Sequence, residues 1–134
     1  MRVVLDVNVL VSTLLSRAGA PGRLLALWLE GAFELVVSEE LLAELGRALA
    51  YPKLREHSSP EDAAGFIALL RSTALMVAGA ERPDPISRDP GDDYLLALAK
   101  ASASVLVSGD RDLLVLAPEL PIQEPGALLE HLQR

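Results

Sequence analysis

The opening run of the chain, residues 2–12, constrains the fold more than any other stretch. Val3, Val4 and Leu5 form a short apolar segment of strand-favouring residues, which predicts a strand buried on both faces, and Asp6 follows at once. A carboxylate buried alone costs several kcal/mol, roughly, unless it is paired or binds a metal. Ligands of parallel α/β sheets gather beyond the carboxyl ends of the strands. Asp6 is therefore either the N-cap of the next helix or an active-site acid.

Composition excludes several classes of function. The chain has 134 residues, of which 51% are hydrophobic but only 4% aromatic, which predicts a single domain over residues 1–134 with a core of Leu, Val and Ala. The absence of cysteine excludes disulfides, thiolate metal sites and a cysteine nucleophile. With no apolar run near about 18 residues and no charged leader, we expect a soluble, cytoplasmic protein without a membrane segment. The net charge of −7 argues against passive binding of nucleic acid by a basic surface, but not against action on nucleic acid through a divalent metal.

Strand-like and helix-like segments alternate along the chain. This alternation predicts a three-layer α/β/α sandwich with a central parallel sheet. After the first strand, further strands are predicted at residues 33–37, 75–78 and 105–107 and near Ile122. Helices are predicted at residues 8–16, 21–30, 39–50, 60–72, 90–102 and 111–116 and from Pro125, with Ser38 as the cap of the third and Tyr51-Pro52 as its stop.

Acidic residues fall where such a sheet would bring them together. Asp110 closes the fourth strand as Asp6 closes the first, so parallel strands place both at one edge of the sheet. In the helix after Asp89, the helical period turns Asp92 towards the apolar stripe and Asp93 almost the opposite way. That stripe consists of Leu95, Leu96, Leu98 and Ala99. An inward acid in a first helical turn is also explained by capping or by the helix dipole.

Glu44 is a weaker candidate of the same kind. It lies at the rim of the apolar stripe of its helix, where a glutamate is usually just solvated. Inward carboxylates repel one another, so several converge only around metal ions or shared protons. Oxygen ligands suit Mg²⁺ or Mn²⁺. His57 and His131 fall in segments expected to be exposed, and we interpret both as surface residues.

Four motifs occur in an order typical of one family. They are LDVNVLVS (Leu5–Ser12), SEELLAEL (Ser38–Leu45), DPGDDYLLALA (Asp89–Ala99) and VLVSGDRDLL (Val105–Leu114). Together they span nearly the whole chain. The sequence resembles PIN domains, specifically the bacterial and archaeal PIN proteins grouped with VapC-type toxins.

The resemblance implies a metal-dependent ribonuclease that uses Mg²⁺ or Mn²⁺. The resemblance implies that the acids of the family's site are Asp6, Glu44, Asp92 and Asp110 in this chain. It also implies that Asn8 and Ser108 occupy supporting polar positions. Asp93 and Asp112 are further possible ligands. The resemblance also implies a homodimer and a cognate antitoxin peptide. Two departures bear on metal affinity: Val7 replaces a hydroxyl residue that many relatives carry, and Ser108 replaces a common threonine.

Other protein classes also have a functional aspartate at the end of a strand. Haloacid-type phosphatases require a second aspartate where this chain has Asn8. Receiver domains require an aspartate after a middle strand, and the strand predicted to end at Ala78 has none. A PIN fold kept for RNA or protein contact without catalysis is the remaining alternative.

RNA would also need positive contacts. Arg17, Arg23, Arg88 and Arg111 lie on segments expected to border the carboxyl edge of the sheet, and the alternative is that they are scattered solubilising charges.

Overall fold

The structure is a computed structural model that describes residues 1–78 and 93–133. Asp92, Arg88 and the predicted helix start near Pro90 lie outside the described residues. Within the described part of the chain, the strands are β1 (Arg2–Leu5), β2 (Glu34–Val37), β3 (Leu75–Met76), β4 (Val105–Val107) and β5 (Ile122–Gln123). The helices there are α1 (Val7–Leu15), α2 (Ala20–Leu29), α3 (Glu39–Leu49), α4 (Pro52–Arg55), α5 (Pro60–Thr73), α6 (Asp93–Ala101), α7 (Arg111–Leu114) and α8 (Pro125–Leu132).

The strands form one parallel sheet in the order β3-β2-β1-β4-β5, with helices flanking it, as the alternating pattern predicts. From the central β1 the chain builds outwards through β2 and β3, then crosses back to place β4 on the other side of β1. Leu5 pairs with Val107, so the residues that follow these two strands emerge side by side. The point where the strand order reverses is where open α/β sheets bind their ligands.

The core is built mainly from aliphatic side chains. Val3, Val4 and Leu5 are at most 1% exposed, which confirms that β1 is buried on both faces. The largest fully buried side chains among the described residues are all leucines, each contributing about 1.5–3 kcal/mol through removal from water. Helix α6 packs on β1 and β4, while α1 packs on α2 and α3. This packing holds the carboxyl ends of β1 and β4 in place.

Most helix boundaries follow from local capping. Ser38 caps α3 by accepting a hydrogen bond from the Leu41 N–H at 3.2 Å, as predicted. Helix α1 begins one residue earlier than predicted, because Asp6 is its cap. Helix α4 was not predicted: Pro52 was expected only to end the preceding helix, but it opens a new one, a position that suits proline.

Strand β3 lies at one edge of the sheet. Strand β3 is shorter than the predicted 75–78, and Leu75 and Met76 are both more than a third exposed because β3 is an edge strand.

Across residues 1–78 and 93–133, no helix combines the length and the apolar character needed to cross a membrane.

Candidate active site at the strand ends

Asp6 lies where β1 ends and α1 begins, and both of its carboxylate oxygens are engaged. Oδ1 accepts a hydrogen bond from the Val9 N–H at 2.9 Å, which caps α1. Oδ2 accepts a hydrogen bond from the Ser108 hydroxyl at the end of β4. The backbone N–H of Asp6 also donates to the Val107 carbonyl at 3.0 Å, which locks the two strand ends together. Since Asp6 is only 4% exposed, its orientation is fixed by the fold.

Ser108 connects Asp6 to Asp110. Its hydroxyl donates to Asp6 and also accepts a hydrogen bond from the Asp110 N–H at 2.9 Å. Asp110 in turn caps the short helix α7, its Oδ1 accepting from the Asp112 N–H at 2.9 Å. Ser108 is fully buried, so this hydroxyl orders the loop between β4 and α7 and places the two aspartates near each other.

The electrostatics of Asp6 follow from this placement. Burial raises the pKa of the Asp6 carboxyl above its ordinary value, and the negative charge of Asp110 raises it further. Hydrogen bonds from Ser108 and from the backbone N–H groups of Val9 and Asn8 oppose the rise but do not cancel it. The charged form of Asp6 is therefore disfavoured in the metal-free protein, and a nearby cation would stabilise it.

Glu44 reaches the same place from α3. A cleft of about 160 Å³ is lined by Asp6, Val7, Asn8, Glu44, Leu95 and Asp110. Glu44 Oε2 accepts a hydrogen bond from the Tyr94 hydroxyl at 2.9 Å, and Glu44 Oε1 lies 3.9 Å from Arg47 Nη2. Three of the four predicted acids thus share one cleft, together with the predicted supporting residue Asn8.

The donor set of this cleft fits a hard divalent ion in its chemistry. Its charged groups are carboxylates, the ligands that Mg²⁺ and Mn²⁺ prefer. Within residues 1–78 and 93–133, no three acidic or histidine side chains are close enough to hold one ion together. The fourth predicted acid, Asp92, is outside those residues. His57 and His131 are both exposed, as predicted.

The helical period turns Asp93 away from the apolar stripe and so implies an exposed side chain, but Asp93 is buried. Asp93 is only 4% exposed, because α6 has no exposed side over its first two turns: residues 93–99 are all buried. The period of a helix identifies a stripe, but not how many faces of the helix are covered. Asp93 and Asp112 are not among the described residues that line the cleft.

Of the three described candidate arginines, one lies beside the cleft. Arg111 is exposed and follows Asp110 directly at the start of α7. Arg17 follows the C-terminal end of α1, while Asp6 is at the N-terminal end, so the helix separates them by about 13 Å. Arg23 lies in the first turns of α2, near that same far end. The expectation that Arg17 and Arg23 border the carboxyl edge is therefore wrong, because α1 runs away from it.

Two contacts of Glu44 were not predicted. Tyr94 comes from α6, 50 residues along the chain, and no local pattern distinguishes it from an ordinary core tyrosine. Arg47 is three residues from Glu44 on α3, a spacing that does favour an ion pair and could have been recognised.

Comparison with known proteins identifies the family. A profile of the PIN domain matches residues 2–112, which is most of the chain and includes Asp6, Glu44 and Asp110. The chain belongs to the PIN domain family. The chain is also similar to an uncharacterised protein of Methanocaldococcus jannaschii. The two are 29% identical over 119 residues, and the match covers 89% of this chain and 77% of that protein.

Solved structures share the PIN fold at low sequence identity. VapBC2 from Rickettsia felis, bound to a DNA fragment from its promoter, superposes with a TM-score of 0.67 at 16% identity, covering 92% of this chain and 98% of that one. A protein of Pyrobaculum aerophilum superposes with a TM-score of 0.67 at 17% identity, covering 99% and 90% of the two chains. These likenesses show that the PIN-type α/β sandwich is retained.

Proposed function

We propose that this PIN domain, spanning residues 1–134, is a metal-dependent endoribonuclease that hydrolyses RNA phosphodiester bonds. The observation that carries the proposal is the meeting of Asp6 and Asp110 at the switch point between β1 and β4, in one cleft with Glu44. Converging carboxylates could hold the divalent ions that activate water and support displacement at phosphorus. The membership of the PIN family, whose members are generally nucleases, supports the same reaction.

The residues of the cleft would divide the work. Asp6, Glu44 and Asp110 would hold Mg²⁺ or Mn²⁺, joined by Asp92, and Asn8 would help to orient the ligands. The chemistry supplied by the bound ion is activation of a water and stabilisation of the charge that develops at phosphorus. Asp6 contributes a carboxylate whose second oxygen is held by Ser108, so little reorganisation is needed when an ion binds.

Arg111 would supply the positive contact that an acidic protein needs to bind RNA. It is exposed and adjacent to Asp110, so its guanidinium can reach a phosphate held at the cleft. Arg17 and Arg23 lie about the length of α1 away from the cleft, so they could contact only a more distant part of the RNA.

A cytoplasmic toxin–antitoxin pair is the proposed biological setting. The structural likeness to VapBC2 supports a toxin role with a cognate antitoxin peptide as partner, and a homodimer as the working form. A small upstream gene encoding a DNA-binding protein would support this setting. Co-purification of the two gene products, with light scattering to measure the mass of the nuclease alone, tests both proposed partners.

The test is cleavage of single-stranded and structured RNA with Mg²⁺, Mn²⁺ or EDTA. We expect the parent to cleave with either metal and not with EDTA. Asp6→Asn and Asp110→Asn should each reduce cleavage at least 100-fold while keeping the parent's circular dichroism, since each removes a charge and a ligand oxygen. Asp62→Asn, an exposed acid at the start of α5, is the matched control and should cleave as the parent does.

The same assay decides against the alternative, a PIN fold kept for RNA or protein contact. The absence of a three-ligand cluster among residues 1–78 and 93–133 is the observation that favours this alternative. RNA binding without cleavage in either metal, or equal cleavage by the parent and Asp6→Asn, would overturn the nuclease assignment.

A further inference from the structure

Two side chains of different kinds hold Glu44. The Tyr94 hydroxyl donates a hydrogen bond to Oε2 at 2.9 Å, whereas Arg47 approaches Oε1 at 3.9 Å. Tyr94 is 5% exposed and belongs to α6, which packs on β1 and β4 beneath the cleft. The side chain of Arg47 is 68% exposed and shares α3 with Glu44. The first contact is therefore fixed by the core, and the second is a loose surface pair.

The strengths of these contacts differ accordingly. An exposed ion pair contributes about 0–1 kcal/mol and is screened by salt. A hydrogen bond to a charged acceptor from a buried donor is stronger and more directional, since the buried aromatic ring has few alternative rotamers. Among the described residues, the Glu44 carboxylate at the rim of the cleft thus has a firm partner in Tyr94 at Oε2 and a distant one in Arg47 at Oε1.

We propose that Tyr94 is a positioning residue that presents Glu44 to the metal in the cleft. By holding Oε2, the Tyr94 hydroxyl leaves Oε1 directed to an incoming ion at little entropic cost. The contact also couples α6 to α3, so a residue of one helix aligns the acid of the other. This inference rests on the proposed function, because it requires that the cleft bind a divalent ion.

Loss of the hydroxyl should have a defined consequence. In Tyr94→Phe, the Glu44 carboxylate would be free to rotate and to pair more closely with Arg47, which competes with the ion for Oε1. Removal of such a supporting hydrogen bond commonly weakens metal affinity by about 10–100-fold. Arg47→Gln removes the competitor and should leave Mn²⁺ affinity unchanged or slightly higher.

The experiment is Mn²⁺ binding by titration calorimetry in a double-mutant cycle. The proteins are the parent, Tyr94→Phe, Glu44→Ala, the double variant, and Asp6→Asn. Tyr51→Phe is the matched control, because Tyr51 is the other tyrosine of the chain and is 67% exposed. We expect Tyr94→Phe to bind Mn²⁺ about tenfold more weakly than the parent, and Tyr51→Phe to match the parent. In the Glu44→Ala background, Tyr94→Phe should cause no further loss, since it acts through Glu44.

A second readout separates positioning from simple support of the fold. The Mn²⁺ concentration for half-maximal RNA cleavage should rise in Tyr94→Phe, and excess Mn²⁺ should restore the parent's rate. Unchanged Mn²⁺ affinity in Tyr94→Phe, or an equal loss in the Glu44→Ala background, would overturn the role of Tyr94 while the nuclease proposal stands. A parent that binds no Mn²⁺, or binds it as tightly as Asp6→Asn does, would overturn both.

Discussion

At the scale of single residues, Asp6 caps α1 and also lies where the proposed active-site acid is needed, so the two roles that the sequence presents as alternatives are compatible. Its Oδ1 caps α1 and its Oδ2 meets Ser108, while the side chain lines the cleft. Each carboxylate oxygen has two lone pairs, so a capping bond does not prevent an ion from binding. The cap fixes the carboxylate where the site needs it.

The raised pKa of Asp6 predicts how stability depends on pH. Stability linked to the protonated carboxyl is fully present below the ordinary pKa of 3.8 and is lost as pH rises through the raised folded value. Asn cannot ionise and caps helices as well as Asp does. Asp6→Asn should therefore melt above the parent in EDTA at neutral pH, with the difference shrinking towards acid. Thermal melts between pH 4 and 8 measure this.

The control for this prediction is Asp62→Asn, an exposed acid in the first turn of α5. Its stability should stay within about 0.5 kcal/mol of the parent at every pH. An Asp6→Asn variant that melts below the parent at neutral pH would contradict the account of a desolvated, repelled carboxylate.

At the scale of elements, the junction of α1 and α2 depends on a close backbone approach. A Cβ at Gly22 would lie 2.3 Å from the Ser16 carbonyl oxygen and 2.6 Å from the Arg17 Cα. Only glycine lets α2 start against the end of α1. In contrast, a Cβ at Gly65 in α5 would meet no atom within 4 Å beyond its own helix in the part of the chain that the structure describes.

These two glycines make a matched pair. Gly22→Ala should destabilise the protein by about 1–3 kcal/mol, because backbone must shift to admit the methyl group. Gly65→Ala should stabilise it by up to about 1 kcal/mol, since alanine is the better residue in an exposed helix. Urea denaturation of both variants checks the pair, and changes of the same sign would contradict the packing of α1 against α2.

The elements also show what sequence reasoning can reach. The sequence predicts that Asp6 and Asp110 share an edge of the sheet. Short apolar runs identify the buried strands and the polar residues that end them, and parallel strands bring their carboxyl ends to the same edge. The burial of Asp93 was missed because coverage of α6 on several sides depends on its neighbours, not on its own period. The Tyr94–Glu44 contact joins residues 50 apart, which no local pattern reports. Helix α4 was missed because Pro52 serves equally as a stop and as a start.

At the scale of the whole molecule, a net charge of −7 makes the acidic cleft unfavourable without a counter-ion. An ion bound only by the folded state stabilises it by about 2.7 kcal/mol at a hundredfold excess over Kd. For a chain of this size, that is a rise in Tm of roughly 10 °C. We expect such a rise for the parent in Mn²⁺ and a clearly smaller one for Asp6→Asn.

Screening alone also stabilises an acidic protein, so the control matches the ionic strength with NaCl. The rise in Mn²⁺ beyond that in NaCl reports specific binding. Equal shifts in the two salts, or equal shifts in the parent and Asp6→Asn, would show that Mn²⁺ acts only on the surface charge.

The central claim is the proposal that the acids of the cleft would hold a divalent ion that supports cleavage at phosphorus, and a sulfur-substituted RNA tests it most directly. Replacing one non-bridging oxygen of the scissile phosphate by sulfur weakens contact with Mg²⁺, a hard ion, more than with the softer Mn²⁺. For one stereoisomer, we predict slow single-turnover cleavage by the parent in Mg²⁺, recovery in Mn²⁺, and none in EDTA. Asp6→Asn should cleave in neither metal. Cleavage of the unmodified RNA that persists in EDTA, or sulfur effects that are equal in Mg²⁺ and Mn²⁺ for both stereoisomers, would contradict the account.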